Sequence, residues 1–580
     1  MKLAYSPNFL AIIVFLLFSA FALKDLTIPG FYTSHDGETH VARIAQYYQA
    51  LKDGQIPPRF AGSFYNNFES PIFVYIYPTP YFFGSLAHLA GFSFVNSFKL
   101  LMALGFIFSS IFCYAWLKEL FKSPSAAFLG AMVYAWSPYR FQLIYVRGSI
   151  SEHLAYTFVP LALYSLTKLK SDNRIHYIAL SAVSIALIML SQNLVALISM
   201  PLIGAYVVFL NIVGRHDWKF YFQALIAAFW GFLLSAFTYL PSLFERKYIV
   251  FDKVFSLVFN SHFVTFWQLI RSPWGYGFDL PGVVNDQLSF QMGLIHLLII
   301  MIFIIYLIQK TLSYKFNIKM ILYDKEFSFA FILIIIILIV FLVLQNNLTA
   351  FVWNNFKPLQ IIDIPWRLLG LIPIIVALAA AFLQTKIKSG LFLIIITLLL
   401  IYANRNHIHI NKPLFYDDQH FMNYHGSATQ LSEFTPITFQ TTTAPTFTDL
   451  TLPFNTVGGW VSYENMSASS KYLNFNANVI SDKALIRINK FYFPGINITF
   501  NGEKVIYGKD FFSSSTGTVR LDSTKNTHGF IFIPVQKGNY NIKLNFGETN
   551  LRLLADLISL LSLLFIIILF YKCLKKTYYC

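Results

Sequence analysis

The chain has 580 residues and a net charge of +16, from 43 Lys and Arg against 27 Asp and Glu; hydrophobic residues make up 56% of it and charged residues only 12%. Charge so sparse is about half the share of an ordinary soluble domain and excludes a soluble globular protein, a disordered chain and a fibrous repeat. A spanning helix needs about 20 apolar residues, so the chain reads as an integral, polytopic membrane protein, and its three cysteines, with no CxxC spacing, predict neither a disulfide framework nor a thiolate site.

The first apolar run, 8–23, follows only Lys2 and ends in Ser19-Ala20-Phe21-Ala22, which fits a first span or a cleaved signal peptide. Either way, residues 24–69 are expected outside the cytoplasm. Ser34-His35-Asp36-Gly37-Glu38-Thr39-His40 then opens a helix that Ser34 or Asp36 can cap. At helical spacing Asp36, His40, Arg43 and Tyr47 share one face, while Val41, Ile44, Ala45, Tyr48 and Leu51 line another. This predicts an amphipathic helix on the outer membrane surface with its polar face turned toward the protein interior. Asp36 is the candidate general base or ligand of a hydrated divalent cation, assisted by His40. The plainer alternative is a solvated surface helix. A zinc site built from His35, Asp36, Glu38 and His40 lacks HExxH or a comparable spacing.

Pro71, Pro78 and Pro80 interrupt the apolar stretch 71–92, which predicts an interfacial or re-entrant element instead of a span. Spans are expected at 98–116, 126–139, 153–166, 176–190, 194–213, 220–240, 288–308, 327–344, 366–384, 391–402 and 551–571, which with the first run makes twelve. Lys118, Lys122, Lys168, Lys170, Arg174, Arg215, Lys219, Lys310, Lys315, Lys319, Lys325, Lys386, Lys388, Lys572, Lys575 and Lys576 then all fall on one side, the cytoplasm. The positive charge is thereby assigned to topology, and no nucleic acid is expected as a partner. Residues 24–97, 139–152, 241–287, 346–365 and 404–550 face outward.

Among these outer regions, 139–152 carries Arg147 and, five residues on, Glu152. Glu152 either orients an acceptor as a second acidic residue or pairs with Arg147 and caps the next helix. The loop Arg271-Ser-Pro-Trp274-Gly-Tyr-Gly-Phe-Asp279 offers aromatic faces and glycine hinges for a lid, or else an interfacial aromatic belt. His88, His262 and His296 lie in apolar surroundings and read as packing residues. The block 404–550 alternates in the manner of strands at 471–480 and 540–546, with hairpin signals at Asn501-Gly502 and Lys537-Gly538. It predicts a β-sandwich or jelly-roll domain between a helical transmembrane part, 1–403, and a closing span with a basic tail, 551–580.

A first span followed by an outer loop that opens with an acidic residue on a juxtamembrane helix resembles the GT-C superfamily of membrane glycosyltransferases. Leu51-Lys-Asp-Gly-Gln-Ile-Pro-Pro-Arg59, Pro71-x6-Pro78-x-Pro80-Tyr81, Ser137-Pro138-Tyr139-Arg140, Arg147-Gly-Ser-Ile-Ser-Glu152, Pro365-Trp366-Arg367 and Tyr492-Phe-Pro-Gly495 are similar to its YfhO-like branch, also labelled 6-pyruvoyl-tetrahydropterin synthase-related membrane proteins. The resemblance implies a GT-C-like fold in an inner or plasma membrane. It implies transfer of a sugar from a polyprenyl-phosphate carrier to a glycan, lipid or protein acceptor on the outer face, with membrane lipids as the remaining partners. Asp36 takes the place of the superfamily's catalytic acidic residue, in a set with Glu38, His40 and Glu152. Arg43, Arg59, Arg147, Arg271, Trp274 and Arg367 are the substrate-binding candidates, arginine because its planar fork grips two phosphate oxygens. Asp36-Gly37-Glu38 stands where a contiguous acidic pair is usual, which leaves a divalent metal at Asp36 open; no other cofactor is expected. The competing classes are a transporter or lipid flippase and a non-catalytic, glycan-binding envelope protein. A carrier is expected to use ionisable residues inside its spans and to show related halves; the sequence has few of the former and no internal repeat.

Overall fold

The computed structural model describes residues 7–578 apart from 215, 255–257, 281–285, 315–333, 428, 430–431, 438–452, 505, 509–510, 515–516 and 521–529. Arg215, Lys315, Lys319 and Lys325 of the basic loops therefore lie outside the described residues. Helices dominate as far as Asn404, an antiparallel sheet follows, and helix Asn550–Tyr578 closes the chain. Five helices are long and apolar enough to cross a membrane: Phe94–Phe121, Asn193–Val213, Leu294–Ser313, Pro365–Ile387 and Asn550–Tyr571. The number is seven if two sharply bent pairs each make one span, one of them Trp218–Leu234 turning 73° into Ala236–Phe244. Asn8–Ala22, Pro124–Ala135, Ile175–Ser191 and Gly390–Asn404 are apolar but shorter. Each of the twelve expected runs carries helix, yet only five to seven meet the length and apolarity of a span among the described residues. Proline explains one shortening: Pro138 disfavours helical backbone at the residue before it, so the helix in 126–139 stops at Ala135.

The stretch 71–92 folds as Ile72–Tyr75 and Thr79–Leu89, the longer of 11 residues, too short to cross. Thr79–Leu89 packs on the first-loop helix Gly37–Lys52. Gly84 permits that approach, since a Cβ there would lie 2.8 Å from Ile44 Cδ1. The N-terminal helix Pro7–Ala22 packs on Phe94–Phe121, burying Phe15 and Ala22.

Two long antiparallel strands, Tyr472–Phe491 and Phe530–Phe546, form the centre of a six-stranded sheet. Asn501-Gly502 makes the expected hairpin between Ile496–Phe500 and Glu503–Lys504, both turn residues at positive φ (49° and 89°). Lys537-Gly538 does not make one. The strand runs straight through it with a register shift between Gln536 and Gly538. Buried positions change parity there, from Ile531, Ile533 and Val535 to Ile542, Leu544 and Phe546. A bulge adds one residue and so keeps the apolar set on one face. Phe60, Val74, Tyr75 and Ile249 from loops of the helical part pack into that face. Among the described residues, Ile506–Gly508, Phe511–Ser514 and Gly517–Arg520 add a small three-stranded antiparallel sheet.

Residues 413–422 return to the first loop: Pro413–Leu414 pairs with Phe31–Tyr32, and helix Asp418–Met422 lies on Gly37–Lys52. Buried ion pairs join the sheet and the closing helix to the rest. Arg59 lies 3.1 Å from Glu548 and 2.7 Å from Asp556, Arg552 lies 2.8 Å from Glu245, and Lys490 pairs with Glu69.

Candidate functional site

Segments far apart in sequence meet at one end of the bundle. His35 N donates to Val146 O at 3.1 Å and Asp36 N to Arg147 O at 2.8 Å, which straps the first loop to the turn before helix Ile150–Asp172. That turn, Gln142–Arg147, is π-helical and ends on Gly148 at φ +63°. A Cβ on Gly148 would lie 2.8 Å from Gly37 Cα. Two facing glycines thus bring Asp36 and Arg147 onto one cavity of about 560 Å³. His40, Arg43 and Arg367 line it too, so five of the ten catalytic and substrate-binding candidates share it. Asp36 sits at the N-cap of Gly37–Lys52 and makes no side-chain capping bond.

Glu152 lies beneath the cavity with no exposure. Its Oε2 is 2.7 Å from Arg147 Nη1 and 3.4 Å from Arg367 Nη1, and the Tyr139 hydroxyl donates to Oε1. Both oxygens are committed, which fits the pairing role and not contact with an acceptor. Arg147 stacks 5.1 Å over the Trp366 ring, and Arg367 Nη2 is 3.0 Å from Asp363 Oδ2. Trp366 Nε1 donates to Asp279 Oδ2 at 2.8 Å, and that oxygen is 2.8 Å from His262 Nδ1. Buried charge is tolerated when it is paired, and this chain of contacts pairs nearly every charged group on that wall.

Burial, and after it the positive Arg43 and Arg147, push the His40 imidazole well below its usual range, so it is neutral. Its Nδ1 is 3.0 Å from the Tyr81 hydroxyl, which also accepts from Arg43 Nη1 at 3.1 Å. Asp279 raises the His262 imidazole. Burial works against charge on Asp279, but the bonds from His262 and Trp366 hold its carboxyl below the usual range. Burial pushes Glu433, which also lines the cavity, up.

Four candidates lie elsewhere. Glu38 is on the outer side of its helix, 3.3 Å from His420 Nε2. Arg59 is sealed into the seam with Glu548 and Asp556. Arg271 is exposed, and Trp274 stacks on His407 at 4.2 Å. It is the far end of that loop, Phe278 and Asp279, that reaches the cavity, with Phe278 stacked on His35 at 4.3 Å. His262, read as packing, lines the cavity, as do Asp363 and Glu433. Asp363 was readable, standing four residues before Arg367 in an apolar stretch; Glu433 carries no sequence signal. Among the described residues no three His, Cys, Asp or Glu side chains come together as metal ligands. Glu38 lies off the cavity that Asp36 and His40 line, so these three do not close round one cation.

Residues 73–409 match the model of a 6-pyruvoyl-tetrahydropterin synthase related domain of membrane proteins. An uncharacterized protein of Lactococcus lactis subsp. cremoris is 24% identical over 271 residues, 45% of this chain and 44% of that protein, so the chain matches less than half of that relative's length. The cryo-EM structure of the arabinofuranosyltransferase AftD from Mycobacteria is similar at 15% identity with a TM-score of 0.36, over 68% of this chain and 26% of that one.

Proposed function

The chain belongs to the family of 6-pyruvoyl-tetrahydropterin synthase related membrane proteins, and from that premise we propose that it is a GT-C-like glycosyltransferase. It moves a sugar from a polyprenyl-phosphate carrier to an acceptor hydroxyl at the outer membrane surface. The observation that carries this reading is Asp36 sharing a cavity of about 560 Å³ with the guanidiniums Arg147 and Arg367, while two further lining carboxylates, Asp279 and Asp363, are paired with His262 and Arg367.

In this reading Asp36 takes the proton of the acceptor hydroxyl as its oxygen attacks the anomeric carbon. The bond from that carbon to the carrier phosphate breaks on the opposite face, the electron pair stays on the phosphate oxygen, and configuration inverts. Arg147 and Arg367 hold the departing phosphate, and Glu152, bonded to both, fixes their spacing beforehand. Arg43 adds a third cation from the first-loop helix. Neutral His40 bonds the acceptor without adding charge. Glu152 is a positioning residue, and no step passes through a metal.

The test is an envelope-glycan profile from cells lacking the chain, complemented with wild type or Asp36→Asn at matched expression. Loss of one sugar modification in both the null and Asp36→Asn cells, with build-up of its polyprenyl-linked donor, is expected. Full complementation by Asp36→Asn contradicts the assignment and favours a carrier or a binding protein. Deletion of 404–550 does not separate these classes, because it removes Glu433 from the cavity.

A further inference from the structure

We infer that the opposite end of the bundle carries a binding cleft for a phosphate headgroup borne on an apolar chain, distinct from the cavity at Asp36. A second cavity, of about 390 Å³, lies between the ends of helices Phe94–Phe121, Ile150–Asp172, Asn193–Val213 and Pro365–Ile387. Two of these helices tie the ends together. Glu152 and Lys170 stand 18 residues apart on one helix, about 27 Å at 1.5 Å per residue, close to the thickness of a bilayer's hydrocarbon core. Arg367 and Lys386 bracket another in the same way. The two cavities therefore open at opposite membrane surfaces.

Lysines that only set topology stand in water. Three here, Lys122, Lys170 and Lys386, come from three different helices to the rim of one cleft. Lys170 is half-buried: its Nζ donates to Asn211 Oδ1 at 2.6 Å and lies 5.0 Å over the Phe220 ring. Lys386 lies 5.2 Å over the Phe382 ring. Asn211 is itself fully buried, and its Nδ2 has no partner among the described residues. One carboxylate, Glu119, lines the cleft, and it is shared between Lys122 and Lys168, which comes from outside. The rim is thus net positive. Below it the walls are apolar, with Phe209, Leu210 and Val213 on one helix facing Phe382 on another. A soluble anion gains from the rim alone. An anionic lipid gains from both, because its chain buries against the walls while each lysine near the headgroup contributes about 1 kcal/mol, or about fivefold in affinity. The headgroup source is a glycerophospholipid or a polyprenyl phosphate.

The full-length protein, purified in detergent, is titrated with phosphatidylglycerol, a polyprenyl phosphate, phosphatidylcholine and inorganic phosphate, reading binding and melting temperature. Either anionic lipid is expected to bind and raise Tm, the tighter one identifying the source, while phosphatidylcholine and phosphate do neither. The combined variant Lys122→Gln, Lys170→Gln, Lys386→Gln loses roughly a hundredfold in lipid affinity, and the matching Arg variant restores it. Lys219→Gln with Lys388→Gln, outside the cleft, leaves binding unchanged. Val213→Trp, which fills the apolar half and keeps every lysine, weakens lipid binding too, so the proposal does not hang on one variant folding. Equal response to phosphatidylcholine or to inorganic phosphate, or full affinity in the Gln variant, overturns it. Asp36→Asn leaves this binding intact whether or not the chain transfers sugar.

Discussion

Two networks of buried arginines hold this molecule together, and they look alike until their surroundings are compared. Arg59 and Arg552, at the seam of first loop, sheet and closing helix, are 3% and 0% exposed; Arg147, at the cavity, is 4% exposed. All are paired with carboxylates. In the seam a single arginine, Arg59, takes two carboxylates, and Arg552 is closed in by the Phe493 ring at 5.5 Å and by Pro494 O at 3.1 Å. At the cavity one carboxylate, Glu152, takes two arginines, Arg367 pairs with Asp363 as well, and both arginines border open space. Burial and pairing therefore mark a network. Paired arginines that border open space, instead of being closed in, mark a place for an anionic ligand.

The comparison breaks first at Asp36. Asp36→Asn should lower turnover in membranes about 10²–10⁴-fold, the usual share of a general base, with unchanged melting; a parallel loss of stability would make Asp36 part of the scaffold. Arg552→Ala strands Glu245 in a closed seam and should destabilise the fold by about 3–5 kcal/mol. Arg147→Ala should destabilise less, because the cavity admits water to Glu152, and equal losses in denaturant unfolding would erase the distinction between the two networks. Gly148→Ala forces a side chain to φ +63° against Gly37 and should cost about 1–2 kcal/mol together with most activity, read by melting and turnover.

A smaller effect belongs to His262. Asp279 raises its pKa in the folded state, so its contribution to stability is fully present below the unfolded value near 6.5 and is lost as pH rises through the folded value. Wild type should lose more Tm than Asp279→Asn between pH 6 and 9; parallel curves would contradict the pairing. Glu38→Gln, half-buried against His420 and off the cavity, should leave turnover within about twofold, as expected of a change away from the site.

Much of the cavity was legible because charges are scarce in this chain. Asp36, His40, Arg43, Arg147 and Arg367 stand near the ends of apolar runs, where a polar group is either a topology signal or part of a site. Arg59 looked the same, but its partner lies 489 residues away, and local spacing carries no word of such a contact. Glu38 failed for a different reason, since two residues along a helix from Asp36 is the far face. His262 and Glu433 reach the cavity only through tertiary folding. Lys537-Gly538 misled because a hairpin turn and a bulge both use a residue at positive φ, and only the pairing of the opposite strand separates them.

The central claim, that Asp36 acts on a sugar carrier held by Arg147 and Arg367, is tested most directly by single turnover in reconstituted membranes with the polyprenyl-linked donor that builds up in Asp36→Asn cells. Asp36→Asn is predicted to bind that donor as wild type does and to transfer no sugar, while Arg367→Gln binds it poorly. Transfer by Asp36→Asn at the wild-type rate would contradict the account.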